Sequence, residues 1–415
     1  MANTLKFGNG EWYGKKDTIL AYNDENSNYK PLPFDFSRAS KATVINKDGL
    51  IEEVGSGQPR IDFLGNTKGA LLLEPSRSNV YTQSNLFSFG GNVTSNNSLS
   101  PDGTLNASKI TKTSSSDQFV ILPWSASLST STTYSLSFFV KHNGDDLDLR
   151  YESNNYNDWG ATPVDDGGVS WNALFEVREN SVIASTVNNC TSNVINFGNG
   201  WYRVVVYVTT SSSITPTSPS NLIRVIGSDT KQFLMYGAMF EQGSYSTSYI
   251  PTQGSVVTRL AETNIQTPPS GVIGQTEGTL FAQVGEFPEE HNGRIFAIGD
   301  GTADDYITII KNGSNNNFAV YVDTGGVGQV SYQGSGTLSN NSKIAVGYKN
   351  NDYAIYVNGT QVHTDTNASV PSLVKIFIGS KENESSTFIL GGSITETKLY
   401  NTRLSNSELQ ALTQV

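Results

Sequence analysis

The sequence predicts an all-β protein built of more than one sandwich, and three observations carry that prediction. Only 16% of the 415 residues are charged, and Ser, Thr, Asn and 39 glycines fill the balance. Such a mixture suits short strands joined by tight turns. Apolar residues alternate instead of recurring at helical spacing, so that Tyr134, Leu136, Phe138 and Val140 share one face. Between such runs stand dipeptides that favour left-handed turns, Asp48-Gly49 and Asn358-Gly359. The 19 tyrosines and 19 phenylalanines are spread along the chain, which excludes a disordered one.

In chain order, the first expected element is a hairpin, with Ala42–Asn46 and Leu50–Val54 on either side of Lys47-Asp48-Gly49. It belongs to an irregular N-terminal module spanning 1–85. A jelly-roll sandwich is expected over 86–264. Within it "WYRVVVYV", Trp201–Val208, is apolar on both faces, as a central strand would be. Thr210–Asn221 reads as a Ser/Thr/Pro loop. A linker is expected at 265–275, where Pro-Pro and Gly punctuate "IQTPPSGVIGQ". The last domain, 276–415, contains the hairpin Tyr353–Thr364 and ends in a short helix. Ser405 is its N-cap, Glu408 completes a capping box, and Leu404 with Leu409 forms a hydrophobic staple.

A net charge of −11 without a basic stripe argues against nucleic acid and anionic membranes as partners. No run is long enough to span a bilayer, and the N-terminus lacks the basic start and apolar stretch of a signal peptide. The single cysteine, Cys190, allows no intrachain disulfide and reads as a buried, inert thiol.

Three stretches carry family resemblances. "FSRASKATVINKDGLIEEVGSGQPRIDF…GALLLEPSRSNV", Phe36–Val80, resembles a module of tailed-phage structural proteins, among them head-spike and tail-fibre proteins. Arg38, Ser40, Gly49, Pro59, Arg60, Asp62, Glu74, Pro75 and Asn79 stand at that module's motif positions. "NGWYRV" and Met235–Arg259 resemble the closing strands of the jelly roll that follows in those proteins, a module similar to carbohydrate-binding domains. "RIFAIGDG…DYITI", "YAIYVNG" and "GGSITETKLYNTRLSNSEL" resemble a concanavalin A-like, laminin-G-type sandwich. The resemblance implies a virion component, made in a host cytoplasm and exposed on the particle. It would be a head or tail fibre or spike subunit, a homotrimer, attached to other virion proteins through the N-terminal module. Its lectin-like domains would adhere to host-surface or environmental glycans.

No HExxH, GxSxG, CxxC or Walker A string occurs, and the paired carboxylates of a concanavalin-type glycosidase are absent as a local motif. The chain is therefore expected not to be an enzyme and to need no cofactor. A glycan depolymerase and a ligand-free capsid-decoration protein are the alternatives. The candidate sugar site is "YESNNYNDWGATPVDDGGVSW". There Tyr156, Trp159 and Trp171 supply flat apolar faces, while Asp158, Asp165 and Asp166 supply hydroxyl partners. The competing reading puts both tryptophans in the sandwich core. Asp300, Asp304 and Asp305 in "GDGTADDY" offer hard oxygen donors of the kind calcium takes, against the competing reading of a solvated turn.

Overall fold

A computed structural model describes residues 4–415 except 26–27, 125–126, 155–158, 161–163, 165–167, 216–219, 228–229, 288–291, 314–316 and 384–387. The all-β expectation holds. Strands joined by antiparallel pairing dominate, and the chain ends in one short helix, Asn406–Thr413. Contacts divide the chain into two compact units. Residues 1–47, 53–76 and 260–415 form the first, and 48–52 with 77–259 form the second.

The second unit is a jelly-roll-like sandwich of two six-stranded sheets. One sheet runs in the order Ser88–Phe89, Gln118–Pro123, Ser220–Ile226, Leu147–Ser153, Asn172–Arg178, Ser181–Asn188. The other runs Asn92–Leu99, Leu105–Thr111, Gln232–Gln242, Thr133–His142, Trp201–Thr209, Thr191–Gly198. Alternation does what the sequence promised. Tyr134, Leu136, Phe138 and Val140 all enter the shared core, where they meet Leu149, Phe175 and Val206. Trp201–Thr209 is an interior strand, flanked by Thr133–His142 on one side and Thr191–Gly198 on the other. Asn79 ties the first strand of this unit down with all its bonding capacity. Its amide nitrogen donates to the carbonyls of Ala238 and Ile250, and its oxygen accepts from the backbone N–H groups of Tyr81 and Phe240.

The first unit is built from both ends of the chain. The Gly392–Tyr400 strand lies between Glu277–Val284 and Thr4–Gly8. Pairing then continues from Thr4–Gly8 through Thr18–Glu25, Asn28–Ser37, Thr263–Gln266 and Lys375–Ile378 to Gly293–Gly299. N-terminal strands thus complete a C-terminal sandwich, and Leu5, Phe7, Ile19, Phe34 and Phe36 share a core with Ile295, Ile309, Val346 and Ile394.

This division differs from the expected one in two places. Residues 1–76 are not a separable module, apart from the hairpin tip at 48–52, because their apolar alternation is matched to the C-terminal strands. Nor is 265–275 a linker: Ile265 and Gln266 pair with Phe377 and Ile376, and Val272 and Ile273 are buried in the core. Prolines and a glycine there shape a tight core-lining turn, and the flanking apolar residues hold it down.

The local expectations fare better. The Asp48-Gly49 hairpin forms, with Gly49 at φ 76° in the left-handed region. Asn358 (φ 47°) and Gly359 (φ 79°) make the second turn. Ser405 accepts from the Glu408 backbone N–H, and the Glu408 carboxylate accepts from the Ser405 N–H. The helix lays Leu409, with Leu404 and Leu412, over Phe281, Ala345 and Tyr356 and so caps the outside of the sandwich.

Candidate functional site

The jelly-roll stretch singled out for sugar binding divides into two parts. Tyr156, Asp158, Asp165 and Asp166 lie outside the described residues. Trp159 and Trp171 are core: 0% and 1% of each is exposed. Their rings meet edge to face at 5.7 Å, and Trp159 also stacks on Trp124 and lies against Phe240. The platform reading of the two tryptophans is therefore corrected. "NDWG" is turn-rich, yet the ring it carries turns inward, because burying an indole gains more than exposing it.

The three aspartates of "GDGTADDY" are not brought together as ligands. One oxygen of Asp300 accepts from the Thr302 N–H and hydroxyl, and one of Asp305 accepts from the N–H groups of Gly325 and Ser372. Among the described residues no three His, Cys, Asp or Glu side chains form a group that could hold a metal ion. The loop is a set of Asx turns, the competing reading stated above.

The motif residues at 38–75 are internal struts. Arg38 is 1% exposed, and its guanidinium donates to the carbonyls of Ser40, Gly55 and Gln58 and to Glu262. Arg60 is fully buried between Glu262 and Glu74 and donates to the Thr43 carbonyl. Burial opposes its charge, but the two carboxylates outweigh burial and raise its pKa further. Asp62 accepts from the N–H groups of Ile45 and Leu64, and Ser40 accepts from the Leu260 N–H. Gly49 supplies the turn, and Pro59 sits against Gly14. Reading these side chains as contacts to a partner particle is corrected: most of them are consumed inside this chain. Glu262, for which no local pattern offers a reason to select it, is the carboxylate on which both arginines converge.

A different constellation emerges on the sheet face that turns away from the first unit's main core. On the strand Tyr306–Asn312, Ile307 and Ile309 enter the core, so alternation turns Tyr306 and Thr308 to the opposite face. Register sets Tyr306 opposite Asp323 and Thr308 opposite Tyr321. On the other side Gly299 and Ala297 face them, with Lys375 and Phe377 one strand further. The Tyr306 hydroxyl donates to Asp323 at 2.9 Å. Burial, then the hydrogen bond and charge of Asp323, raise the Tyr306 pKa, so it stays a neutral donor. The Thr308 hydroxyl is fully buried and has no hydrogen-bond partner among the described residues.

The segment that follows Lys375–Ile378 supplies the remaining groups. Glu382 accepts two bonds from the Arg294 guanidinium, at 2.8 and 3.0 Å. Phe388 is 45% exposed, with Arg294 5.5 Å and Lys381 5.4 Å from its ring centroid. Its backbone sits at φ 59°, whereas every other described non-glycine residue with positive φ is Asn, Asp or Ser. A bulky side chain in that region is strained, so the surrounding structure holds the ring out against a local cost. Here a partly exposed aromatic face stands beside the Arg294 guanidinium and the Lys381 ammonium. The buried Glu382 carboxylate holds Arg294, and the Tyr306 phenol lies within the electrostatic reach of both Arg294 and Glu382. Such an arrangement can stack on an apolar ligand face and hydrogen-bond its polar edge.

Little in the sequence could have selected these residues. Arg294 and Tyr306 fall within "RIFAIGDG…DYITI", and alternation from Ile307 would have turned Tyr306 outward. For Phe388 no signal exists, since phenylalanine is ordinarily a core residue and gives no warning of a left-handed backbone.

Comparison with known proteins bears on the domain that carries these residues. The family model for the concanavalin A-like lectin/glucanases superfamily matches residues 263–410, which include every residue of this constellation. The chain thus carries a concanavalin A-like domain. Among curated proteins none matches the chain. Solved structures similar to it include the CBM40 module of a Ruminococcus gnavus IT-sialidase bound to α2,3-sialyllactose, at 18% identity and TM-score 0.31, covering 34% of this chain and 84% of that one. Domain 4 of a Geobacillus stearothermophilus GH43 arabinanase, in complex with arabinotriose, is similar at 15% identity and TM-score 0.29, covering 41% and 82%. Mouse laminin α1 domains LG4-5 are similar at 12% identity and TM-score 0.25, covering 69% and 86%. At such scores the likeness carries no argument about function.

Proposed function

We propose that the chain is a glycan-binding adhesion protein without catalytic activity, and that its saccharide site is the Phe388 face of the concanavalin A-like domain. The observation that carries this is Phe388 itself, an aromatic ring held in solvent by a strained backbone beside Arg294, Glu382, Tyr306 and Asp323. Sugar rings offer apolar C–H faces to an aromatic side chain and hydroxyls to such polar groups. The match to a superfamily of lectins and glucanases supports the same class of ligand.

A hydrolase on this fold would need one carboxylate free to protonate a leaving group and another free to act as base or nucleophile. Glu382 is held in a bidentate pair and Asp323 accepts from a phenol, which favours binding over hydrolysis. At the finer level, the Phe36–Val80 motif supports a place for this chain in a tailed-phage fibre or spike, on the particle surface. There the buried struts would shape the protein, and other surfaces would make the attachment.

Phe388→Ala tests the site. Its ring packs no core, so melting should stay unchanged while affinity for a glycan that binds the wild type falls by about 1–3 kcal/mol, the scale of a lost contact anchor. Binding that survives the substitution would move the site elsewhere. Glycan hydrolysis by the wild type would overturn the non-catalytic reading.

A further inference from the structure

We infer that the Phe388 face selects saccharides bearing a carboxylate, such as uronic acids; this deepens the glycan-binding reading and rests on it. The argument starts from the charges around the ring. Arg294 is neutralised by Glu382 in a bidentate pair. Lys381 has no carboxylate or hydrogen-bond partner among the described residues. Its ammonium rests instead over the Phe388 ring, 5.4 Å from the centroid. In a chain with a net charge of −11, a lysine without a counter-charge among the described residues, beside a partly exposed aromatic ring, stands out.

A sugar that stacks on Phe388 competes with that ammonium for the ring. A neutral sugar displaces Lys381 and gives it only water in exchange, so part of the stacking gain is lost with the cation–π contact. A sugar with a carboxylate on its edge supplies a charge-assisted hydrogen bond to the displaced ammonium. Lys375, one strand beyond Gly299, adds a second cation to the same sheet face. Asp323 sits on the opposite side of Tyr306 and is engaged by its hydroxyl, which leaves Tyr306 to orient a ligand's neutral hydroxyls.

The test uses the full chain and pairs of probes that differ in one group. Oligomers of glucuronate, galacturonate and mannuronate are titrated beside their carboxyl-reduced, neutral counterparts. At least one acidic oligomer should bind about tenfold or more tightly than its neutral twin, and the preference should shrink as salt is added. Lys381→Gln, a change at a partly exposed side chain, should abolish the preference while leaving neutral binding equal or stronger. Phe388→Ala should weaken both probes. Equal affinity for acidic and neutral twins overturns the inference but leaves the glycan-binding reading standing, provided both depend on Phe388. A preference that persists in Lys381→Gln also overturns it. If no probe of either kind binds the wild type, the inference and the reading on which it rests both fall.

Discussion

The jelly-roll unit buries its tryptophans, whereas the concanavalin A-like unit, which buries most of its aromatic residues, holds one phenylalanine partly at the surface. Trp124, Trp159, Trp171 and Trp201, four of the five tryptophans, lie in the jelly-roll unit and are at most 3% exposed. In the concanavalin A-like unit a phenylalanine, Phe388, is 45% exposed. Side-chain type alone ranks these residues the other way, since tryptophan is the commoner binding anchor. What decides is the backbone beneath each ring. Trp159 can turn into a core already lined by Trp124, Tyr134 and Phe240. Phe388 is fixed outward by a left-handed φ that its side chain disfavours. Outward placement of a ring is thus marked here by backbone strain more than by side-chain type.

That contrast can be broken first at the polar core of the concanavalin A-like unit. Glu262→Ala should cost about 5 kcal/mol, the upper end for breaking a buried pair, because two buried guanidiniums lose their carboxylate together. Urea unfolding followed by circular dichroism should show the loss. A change of less than about 1 kcal/mol would mean that Glu74 suffices for both arginines. Trp159→Ala is expected to cost about 3–5 kcal/mol through the cavity left in the jelly-roll core, and binding at Phe388 should be untouched. A variant that melts like the wild type but loses saccharide affinity would return Trp159 to the surface and erase the contrast.

Phe388→Asn separates strain from recognition. Asparagine tolerates the left-handed region, so stability should rise by about 1 kcal/mol while affinity falls by about 1–3 kcal/mol. Stability and affinity falling together would show that the ring supports the fold. The smallest effect concerns Asp102, in the jelly-roll unit. Partial burial alone would raise its pKa, but bonds from Ser100, Thr104 and Asn106 lower it from 3.8 to about 2. A depressed carboxylate stabilises the fold above its unfolded pKa, and that contribution fades as pH drops from about 4 toward 2. Asp102→Asn should flatten the acid limb of the stability profile over that window. An unchanged limb would assign acid sensitivity to other carboxylates.

The sequence made local structure legible and long-range partnership largely illegible. Alternation at Tyr134–Val140, the Asn358-Gly359 turn and the Ser405–Glu408 capping box all act within a few residues, so their residue types suffice to specify them. Pairing of Thr4–Gly8 with Gly392–Tyr400 depends on two strands at opposite ends of the chain. Nothing in either strand names the other, and a division at residue 85 follows only the change from irregular patterning to well-alternating strands. The motif at 36–80 identified the right residues but not their work. Arg38, Arg60 and Glu74 look like surface charges until Glu262 is seen to meet both arginines from more than two hundred positions away. The candidate sugar site failed at Trp159 and Trp171 for a related reason, because a turn-rich neighbourhood says where the chain bends and not where a ring points.

The same end-to-end pairing governs how the protein comes into being. As the chain leaves the ribosome, Thr4–Gly8 and Thr18–Glu25 emerge before the jelly-roll unit, yet Gly392–Tyr400, one of the strands that completes their sheet, emerges after it. The jelly-roll unit can close on itself during synthesis, since its strands lie within a continuous stretch of chain apart from the short tip at 48–52. The early strands must wait with open edges until Gly392–Tyr400 has been made. A prematurely terminated product therefore lacks the Gly392–Tyr400 strand and leaves those edges exposed. The concanavalin A-like sheet is thus finished only after the whole jelly-roll unit has been made.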